Sequence, residues 1–186
     1  AGLSRGLGDV YKRQDQGNWK VFVNYKIKNI SKENFKNYGD LITTSNKNYE
    51  SINKNTTESF FDLANIQIIG DDKRSRLNIF QAKKRNFPLK INMLENHPFS
   101  SQVFLPFNTT GFLVLVAPIG DKPKIDLIEI FEVSGGDGIN FNPKVWHFPL
   151  ISLENEKYIT IDKKDADNNI EIYNFEQSEI FELNYE

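Results

Sequence analysis

The sequence predicts an all-β domain, either a barrel or a sandwich, with one or two short helices. Nine short apolar runs rich in Ile, Val and Phe follow one another between residues 64 and 175, separated by Gly, Pro, Asn and Asp. The apolar spacing of long helices is almost absent. Many short strands at near-regular intervals, with turn residues between them, are typical of β-sandwiches and β-barrels.

The N-terminal residues differ from the rest of the chain. The stretch SRGLGDVYKRQ, Ser4–Gln14, resembles the translation of a transposase sequencing adapter, and the only Met of the chain is Met93. Such processing or fusion segments are excluded from fold reasoning. We therefore expect residues 1–14 to be a non-native, disordered tail, residues 15–24 to be an extension of undetermined origin, and residues 25–186 to form a single domain.

The first native elements are predicted from residue 25 onwards. The stretch YKIKNI, residues 25–30, alternates as a short strand does. Ser31 then suits the N-cap of a short helix, and Gly39 suits its left-handed C-terminal residue. Residues 43–58 are polar and rich in Asn and Lys, which predicts a loop.

The remaining strands are predicted from the nine apolar runs. GFLVLVAP, residues 111–118, is apolar throughout, which indicates a central strand covered on both faces. The other eight runs are ANIQIIG, RLNIFQA, PLKINML, QVFLPF, DLIEIFEV, GINFN, KYITID and IEIYNF.

Composition excludes several classes of function. The formal net charge is −2 without a basic stripe, which argues against nucleic acid as a partner. No run of 18 apolar residues exists, so no membrane span is expected. The chain has no Cys, which excludes disulfides, thiolate metal sites and Cys nucleophiles, and the pattern fits a cytoplasmic bacterial protein.

Both histidines of the chain lie in segments that contain several turn-forming residues. These are LENHPFSSQVFLPF, with His97, and GDGINFNPKVWHFPL, with His147. Their spacing is similar to the two motifs of cupin barrels, in which His and Glu side chains from two strands converge on a metal. Gln102 takes the usual Glu position and Glu95 the place of the first His, and Glu95 and His97 project from the same face of an extended chain.

A fuller match adds the segments FKNYGDLI, GFLVLVAPIGDKP and ITIDKKDADN to the two histidine segments. Their order and spacing resemble the ureidoglycolate lyase family of the cupin-like superfamily, over about residues 25–172. The resemblance implies a cupin-like β-barrel or double-stranded β-sandwich. It also implies a homodimeric enzyme that splits (S)-ureidoglycolate into glyoxylate and urea in allantoin catabolism.

The chain departs from the family pattern at several positions. Where the family commonly has a basic residue and a His, this chain has Ser59 and Phe61, and Gln81 stands where an Arg often precedes Ala82. The frequent WHHPL is WHFPL here. We expect Lys83, Lys84, Arg85 or Lys163 to replace the lost charge, although an ammonium does not reproduce a bidentate guanidinium.

The resemblance and the residues together give a set of candidate site residues. The catalytic candidates are His147, His97, Gln102 and Asp162. The substrate-binding candidates are Asn53, Gln81, Lys163 and Trp146. A divalent metal, Mn²⁺ or Ni²⁺, would be held by His97, Gln102, His147 and Glu95.

Two other functions remain open from the sequence. One is a degenerate cupin-like module that binds or senses a small carboxylate without turnover, which the missing basic positions favour. The other is an enzyme of the same fold acting on a different 2-hydroxy or ureido acid.

Overall fold

The computed structural model describes residues 10–15, 18–23, 25–164 and 168–185. Within it, almost all regular structure is β-strand. The predicted fold class, an all-β cupin-like sandwich, is confirmed. No helix in these ranges is long and apolar enough to cross a membrane.

An isolated ribbon stands at the N-terminal end. Strand β1, Val10–Asp15, pairs antiparallel with β2, Asn18–Val23, and the two strands form a sheet of their own. Residues 1–9 of the predicted disordered tail lie outside the described part of the chain. Residues 10–14 lie in β1, whose register with β2 runs from Val10↔Val23 to Asp15↔Asn18.

One short α-helix follows the first strand of the domain. Strand β3 is Ile27–Asn29 and helix α1 is Lys32–Phe35. Ser31 is the N-cap, as predicted: its hydroxyl accepts from the Asn34 N–H at 3.2 Å, and the Asn34 side chain accepts from the Ser31 N–H at 2.8 Å. This reciprocal pair is a capping box with Asn in place of the usual Glu or Gln.

The remaining strands cover most of the chain. A single turn of 3₁₀-helix spans Ile125–Leu127. The strands are β4 (Gly39–Ile42), β5 (Glu50–Ile52), β6 (Thr57–Ser59), β7 (Ser75–Ala82), β8 (Leu89–Ile91), β9 (Met93–Asn96), β10 (Gln102–Pro106), β11 (Phe112–Ala117), β12 (Glu129–Val133), β13 (Gly138–Phe141), β14 (Trp146–His147), β15 (Ile151–Ser152), β16 (Glu156–Lys163), β17 (Glu171–Asn174) and β18 (Phe181–Leu183).

Two larger sheets form the body of the domain. One has the strand order β4-β13-β10-β16-β7, and the other has the order β17-β9-β14-β11-β12-β3, with β15 also paired to β11. All pairs in these sheets are antiparallel except β12 with β3. Two small two-stranded sheets, β8 with β18 and the hairpin β5 with β6, complete the fold.

Two predictions of loop and strand from local sequence were wrong. The predicted loop at residues 43–58 contains the β5–β6 hairpin, whose turn residues Asn53, Lys54 and Asn55 have φ of 51°, 58° and 69°. Asn tolerates this left-handed backbone, so an Asn-rich segment suits a tight turn as well as an open loop. Conversely, ANIQIIG forms only an isolated bridge, Ile68↔Ser100, instead of a strand.

Strand β11 is buried on both faces, as predicted, and all six of its residues are buried. Phe112, Val114 and Val116 belong to an inner cluster between the two sheets, together with side chains such as Phe104 and Tyr158 of the facing sheet. Its alternate residues belong to an outer cluster, which the C-terminal segment covers with Phe175, Phe181 and Leu183. Successive side chains of a strand point to opposite faces, so one apolar strand joins both clusters.

Gly39 has a different role from the predicted helix terminus. Helix α1 ends at Phe35, and Gly39 begins β4, where it pairs with Phe141 of β13. A Cβ on Gly39 would lie 1.9 Å from the Asn140 carbonyl oxygen. The position therefore requires glycine because the two strand backbones approach too closely for a side chain.

Replacing Gly39 with Ala is expected to lower the free energy of unfolding by about 3 kcal/mol, because strand β4 must move away from β13 to admit the methyl group. Chemical denaturation followed by Trp fluorescence measures this loss.

Gly135→Ala is the matched control. Gly135 has φ of +70°, but nothing lies within 4 Å of its Cβ position. The Gly135→Ala variant should lose only about 1 kcal/mol of unfolding free energy, because of backbone strain. Equal losses for the two variants would contradict the role given to close approach.

Candidate functional site: a paired-histidine cluster

The two histidines of the chain meet between the sheets. His97 follows β9, and His147 lies in β14, which pairs with β9 through His147↔Glu95 and with β11 through Val116↔His147. The centroids of the two imidazole rings are 5.3 Å apart. The structure thus brings together two side chains that are 50 positions apart in the sequence.

Each imidazole is held by a backbone carbonyl. The Nδ1 of His147 lies 2.9 Å from the Val145 carbonyl oxygen, and the Nδ1 of His97 lies 2.6 Å from that of Asn169. A carbonyl only accepts, so each Nδ1 carries the proton and each Nε2 keeps its lone pair. Both Nε2 atoms are buried and have no hydrogen-bond partner among the described residues.

Glu95 completes the cluster. Its Oε1 lies 3.7 Å from the Nε2 of His147, and one ligand atom each from Glu95, His97 and His147 lie within 4.8 Å of one another. A separation of 3.7 Å is too long for a direct hydrogen bond. The three side chains therefore lie close together without forming hydrogen bonds to one another.

Gln102 lies beside this cluster. It opens β10, opposite Phe141, and the Phe141 ring stacks on His147 with centroids 4.2 Å apart and 14° between the planes. The Oε1 of Gln102 is buried and has no partner among the residues that the structure describes. A fourth donor group, an amide oxygen without a partner, thus lies on the residue opposite the Phe141 ring that stacks on His147.

Burial sets the charge state of the cluster. It lowers the pKa of the His147 imidazole to about 3, and the neighbouring His97 adds to this, while the hydrogen bond to Val145 opposes it. Burial also raises the pKa of the Glu95 carboxyl, and His97 opposes that rise. His147 is therefore a neutral ring with a free lone pair, and Glu95 holds a proton more readily than an exposed Glu does.

The donor set fits a divalent cation. Neutral imidazole nitrogen, carboxylate oxygen and amide oxygen suit Mn²⁺, Ni²⁺ and related ions. Metal-binding histidines commonly donate their second N–H to a carbonyl or carboxylate, as both rings do here. Unsatisfied buried polar atoms are rare in folded proteins, so three of them in one place, on His97, His147 and Gln102, indicate a ligand.

A cavity of about 810 Å³ opens onto this cluster. Its lining includes Glu95 and Gln102 of this cluster and the polar segment after β7. The lining residues are Ile79, Phe80, Gln81, Ala82, Lys83, Lys84, Arg85, Asn86, Leu89, Glu95, Gln102, Phe104, Pro149 and Leu150. This volume accommodates a small organic acid with room for water.

Among the proposed substrate-binding residues, only Gln81 lines this cavity. Asn53 lies in the exposed turn of the β5–β6 hairpin, and its side chain donates to Thr57. Lys163 donates its backbone N–H to Ser100 Oγ and its ammonium to the Asp72 carbonyl oxygen.

Trp146 belongs to the outer cluster and donates its indole N–H to the Gly120 carbonyl oxygen at 2.9 Å. It precedes His147 in β14, so the two side chains point to opposite faces of the sheet.

Asp162, a catalytic candidate, lies in an ion pair. It is buried in β16 and accepts from the Arg76 guanidinium of β7 at 2.7 Å and 3.2 Å. Arg76 and Asp162 are directly opposite in register, which explains the bidentate contact. This geometry favours a structural role for Asp162 in joining the two strands.

Asn169 supports the site but was missed from the sequence. Besides its carbonyl bond to His97, its side chain accepts from the Phe99 N–H at 2.7 Å and donates to Ser100 Oγ at 2.8 Å. It thereby ties the chain after β16 to the turn after β9. The only sequence signal was its neighbourhood, since it follows the family-like segment ITIDKKDADN.

Comparisons with known proteins find a family and named relatives for this chain. A family model described as ureidoglycolate lyase matches residues 23–182. A protein named ureidoglycolate lyase from Pseudomonas aeruginosa (strain LESB58) is 36% identical over 155 residues, which cover 83% of this chain and 92% of the relative.

Further Pseudomonas relatives carry the same name. The protein from Pseudomonas putida (strain F1 / ATCC 700007) is 33% identical over 159 residues, covering 85% of this chain and 95% of the relative. That from Pseudomonas savastanoi pv. phaseolicola is 35% identical over 158 residues, covering 84% and 93%. The match spans the strands that carry both histidines, Glu95 and Gln102, and the chain belongs to the ureidoglycolate lyase family.

Proposed function

We propose that this protein is an enzyme that splits (S)-ureidoglycolate into glyoxylate and urea. Family membership and the names of the relatives support this reaction. The structural observation that carries the proposal is the cluster of His97, His147 and Glu95, with free donor atoms, beside a cavity of about 810 Å³. The proposal includes a cytoplasmic location, which the absence of Cys from the chain suggested.

The reaction needs little specialised chemistry. Ureidoglycolate carries a hydroxyl and a ureido nitrogen on the same carbon. Removal of the hydroxyl proton lets that oxygen form a carbonyl while the carbon–nitrogen bond breaks, and the departing urea nitrogen takes up a proton. One proton is thus moved from oxygen to nitrogen, with no redox step and no covalent enzyme intermediate.

Glu95 is the group best suited to move that proton. Its carboxyl is partly buried and its pKa is raised by burial, which brings it closer to the pKa of an effective general acid and base. The low pKa of His147 makes this ring a weak proton acceptor at neutral pH, and it suits a neutral ligand or hydrogen-bond acceptor instead. We therefore assign proton transfer to Glu95 and positioning to His97, His147 and Gln102.

The same donor atoms would hold a divalent metal, for which Mn²⁺ and Ni²⁺ are the candidates. The Nε2 atoms of His97 and His147 and the Oε1 of Gln102 would be its ligands, and Glu95, the fourth residue of the predicted metal set, would stay uncoordinated to carry the proton. Such an ion would supply a positive charge that lowers the pKa of the substrate hydroxyl.

Metal binding is testable directly. We expect one Mn²⁺ or Ni²⁺ ion per chain in isothermal titration calorimetry. His97→Gln and His147→Gln should each weaken binding at least about 100-fold, because loss of supporting partners alone costs about 10–100-fold. Glu154→Gln, which alters an exposed carboxylate paired with Lys84, should leave the affinity unchanged. Equal affinity in wild type and both histidine variants would contradict the assignment.

The reaction itself is tested by glyoxylate release from (S)-ureidoglycolate. Wild-type protein should exceed the spontaneous rate, and Glu95→Gln should lower kcat by about 10²–10⁴-fold, because the proton carrier is lost while an oxygen donor remains. Glu33→Gln in the exposed part of α1 is the control and should retain wild-type activity. If wild type releases no glyoxylate above the spontaneous rate, with or without Mn²⁺ or Ni²⁺, the enzyme proposal fails and a carboxylate-binding module is favoured.

We also propose that the protein is a homodimer, as the family resemblance implies, and that β7 forms the contact. β7 is the edge strand of the five-stranded sheet. Leu77, Ile79 and Phe80 in it are 63%, 54% and 41% exposed. A long edge strand with exposed apolar side chains and no Lys or Pro is a template for pairing with another strand.

Dimerisation through β7 predicts that Leu77→Lys combined with Ile79→Lys converts the protein to a monomer, because two copies then place like charges opposite each other. Analytical ultracentrifugation at micromolar concentration measures the change. Leu127→Lys, at a position 43% exposed in the 3₁₀ turn, should leave the dimer intact. A dimeric double variant would place the interface elsewhere.

A further inference from the structure

Three basic residues line the cavity together with two residues of the donor cluster. Lys83, Lys84 and Arg85 follow β7 and line the cavity, whereas Glu95 is the only acidic residue in the lining. Lys84 is already neutralised, since its ammonium lies 2.7 Å from Glu154. The cavity thus presents excess positive charge to any bound molecule, which favours an anion.

Arg85 differs from its two neighbours in how it is held. It is half-buried, its backbone N–H donates to the Ser152 carbonyl oxygen at 2.9 Å, and its guanidinium carbon lies 5.9 Å from the centroid of the Phe148 ring. Lys83 and Lys84 are exposed. The backbone of Arg85 is fixed and its guanidinium lies over an aromatic face. The side chain therefore has less conformational entropy to lose when it binds a ligand.

The Arg85 guanidinium has no acidic partner within the described parts of the chain. It is also the only guanidinium in the cavity lining, and Gln81, which shares that lining, is neutral. A planar, permanently charged fork without a counter-ion matches a carboxylate in geometry and in charge.

We propose that Arg85 is the specificity-determining anchor for the substrate carboxylate. This inference rests on the proposed function, because it names the group that orients (S)-ureidoglycolate in the cavity. With the carboxylate at Arg85, the adjoining carbon that bears the hydroxyl and the ureido nitrogen would lie within the cavity that Glu95 and Gln102 also line. The anchor selects 2-hydroxy acids and their ureido derivatives over the corresponding neutral amides.

The first test compares two small probes, glycolate and its neutral counterpart glycolamide, as ligands in calorimetry. Wild type should prefer glycolate, and Arg85→Gln should reduce that preference by about 10- to 100-fold, as expected for loss of a charge-assisted hydrogen-bonded pair. Arg85→Lys keeps the positive charge but not the bidentate guanidinium, and it should lose only part of the preference for glycolate. Lys90→Gln, at an exposed position of β8 outside the lining, is the control and should keep the wild-type preference.

The second test measures kinetics with (S)-ureidoglycolate. Arg85→Gln should raise KM by a similar factor and change kcat less, and its melting temperature should match that of the wild type because the backbone bond to Ser152 remains. A structural role alone would lower the melting temperature without changing the ratio of the two probe affinities.

The outcomes separate the anchor from the reaction. A wild-type protein that releases glyoxylate, with probe preference and KM unaffected by Arg85→Gln, overturns the anchor and leaves the lyase standing. A protein that releases no glyoxylate but loses its preference for glycolate in Arg85→Gln retains the anchor and overturns the lyase.

Discussion

The burial of β11 on both faces is the constraint on which the rest of the molecule depends. Its six residues divide between the inner and outer clusters, so both apolar layers are fixed to one strand. β11 also provides the pairing edge for β14, and Val116 lies opposite His147. Because residues of β14 alternate in direction, anchoring Trp146 in the outer cluster forces His147 inward. The position of the imidazole is therefore set by apolar packing on the other side of the sheet.

The site itself is built from groups that are left unsatisfied by the fold. Each histidine gives its Nδ1 proton to a backbone carbonyl, and the lone pairs of both Nε2 atoms remain free in a buried space. Leaving such atoms without partners costs free energy, typically about 1–3 kcal/mol for each group. A cation or substrate that satisfies them recovers this cost on binding. A low-dielectric setting also keeps His147 neutral, which is the state in which imidazole is a ligand.

Much of this arrangement could be predicted from the sequence, and the misses have physical causes. An uninterrupted apolar run sufficed for β11, and residue types at an N-cap sufficed for Ser31, because these signals are local. The meeting of His97 and His147 was predicted only through the family resemblance. The close approach at Gly39, the ion pair of Arg76 with Asp162 and the carbonyl of Asn169 depend on contacts between distant segments. A single sequence contains no local signal for such contacts.

Strand β7 belongs to two features at once. Ile79, Phe80 and Gln81 line the cavity, while the strand that carries them is the free edge of its sheet. A second chain that paired with this edge strand would also form part of the cavity wall. Association through β7 and the access of ligands to the cavity would then depend on the same strand.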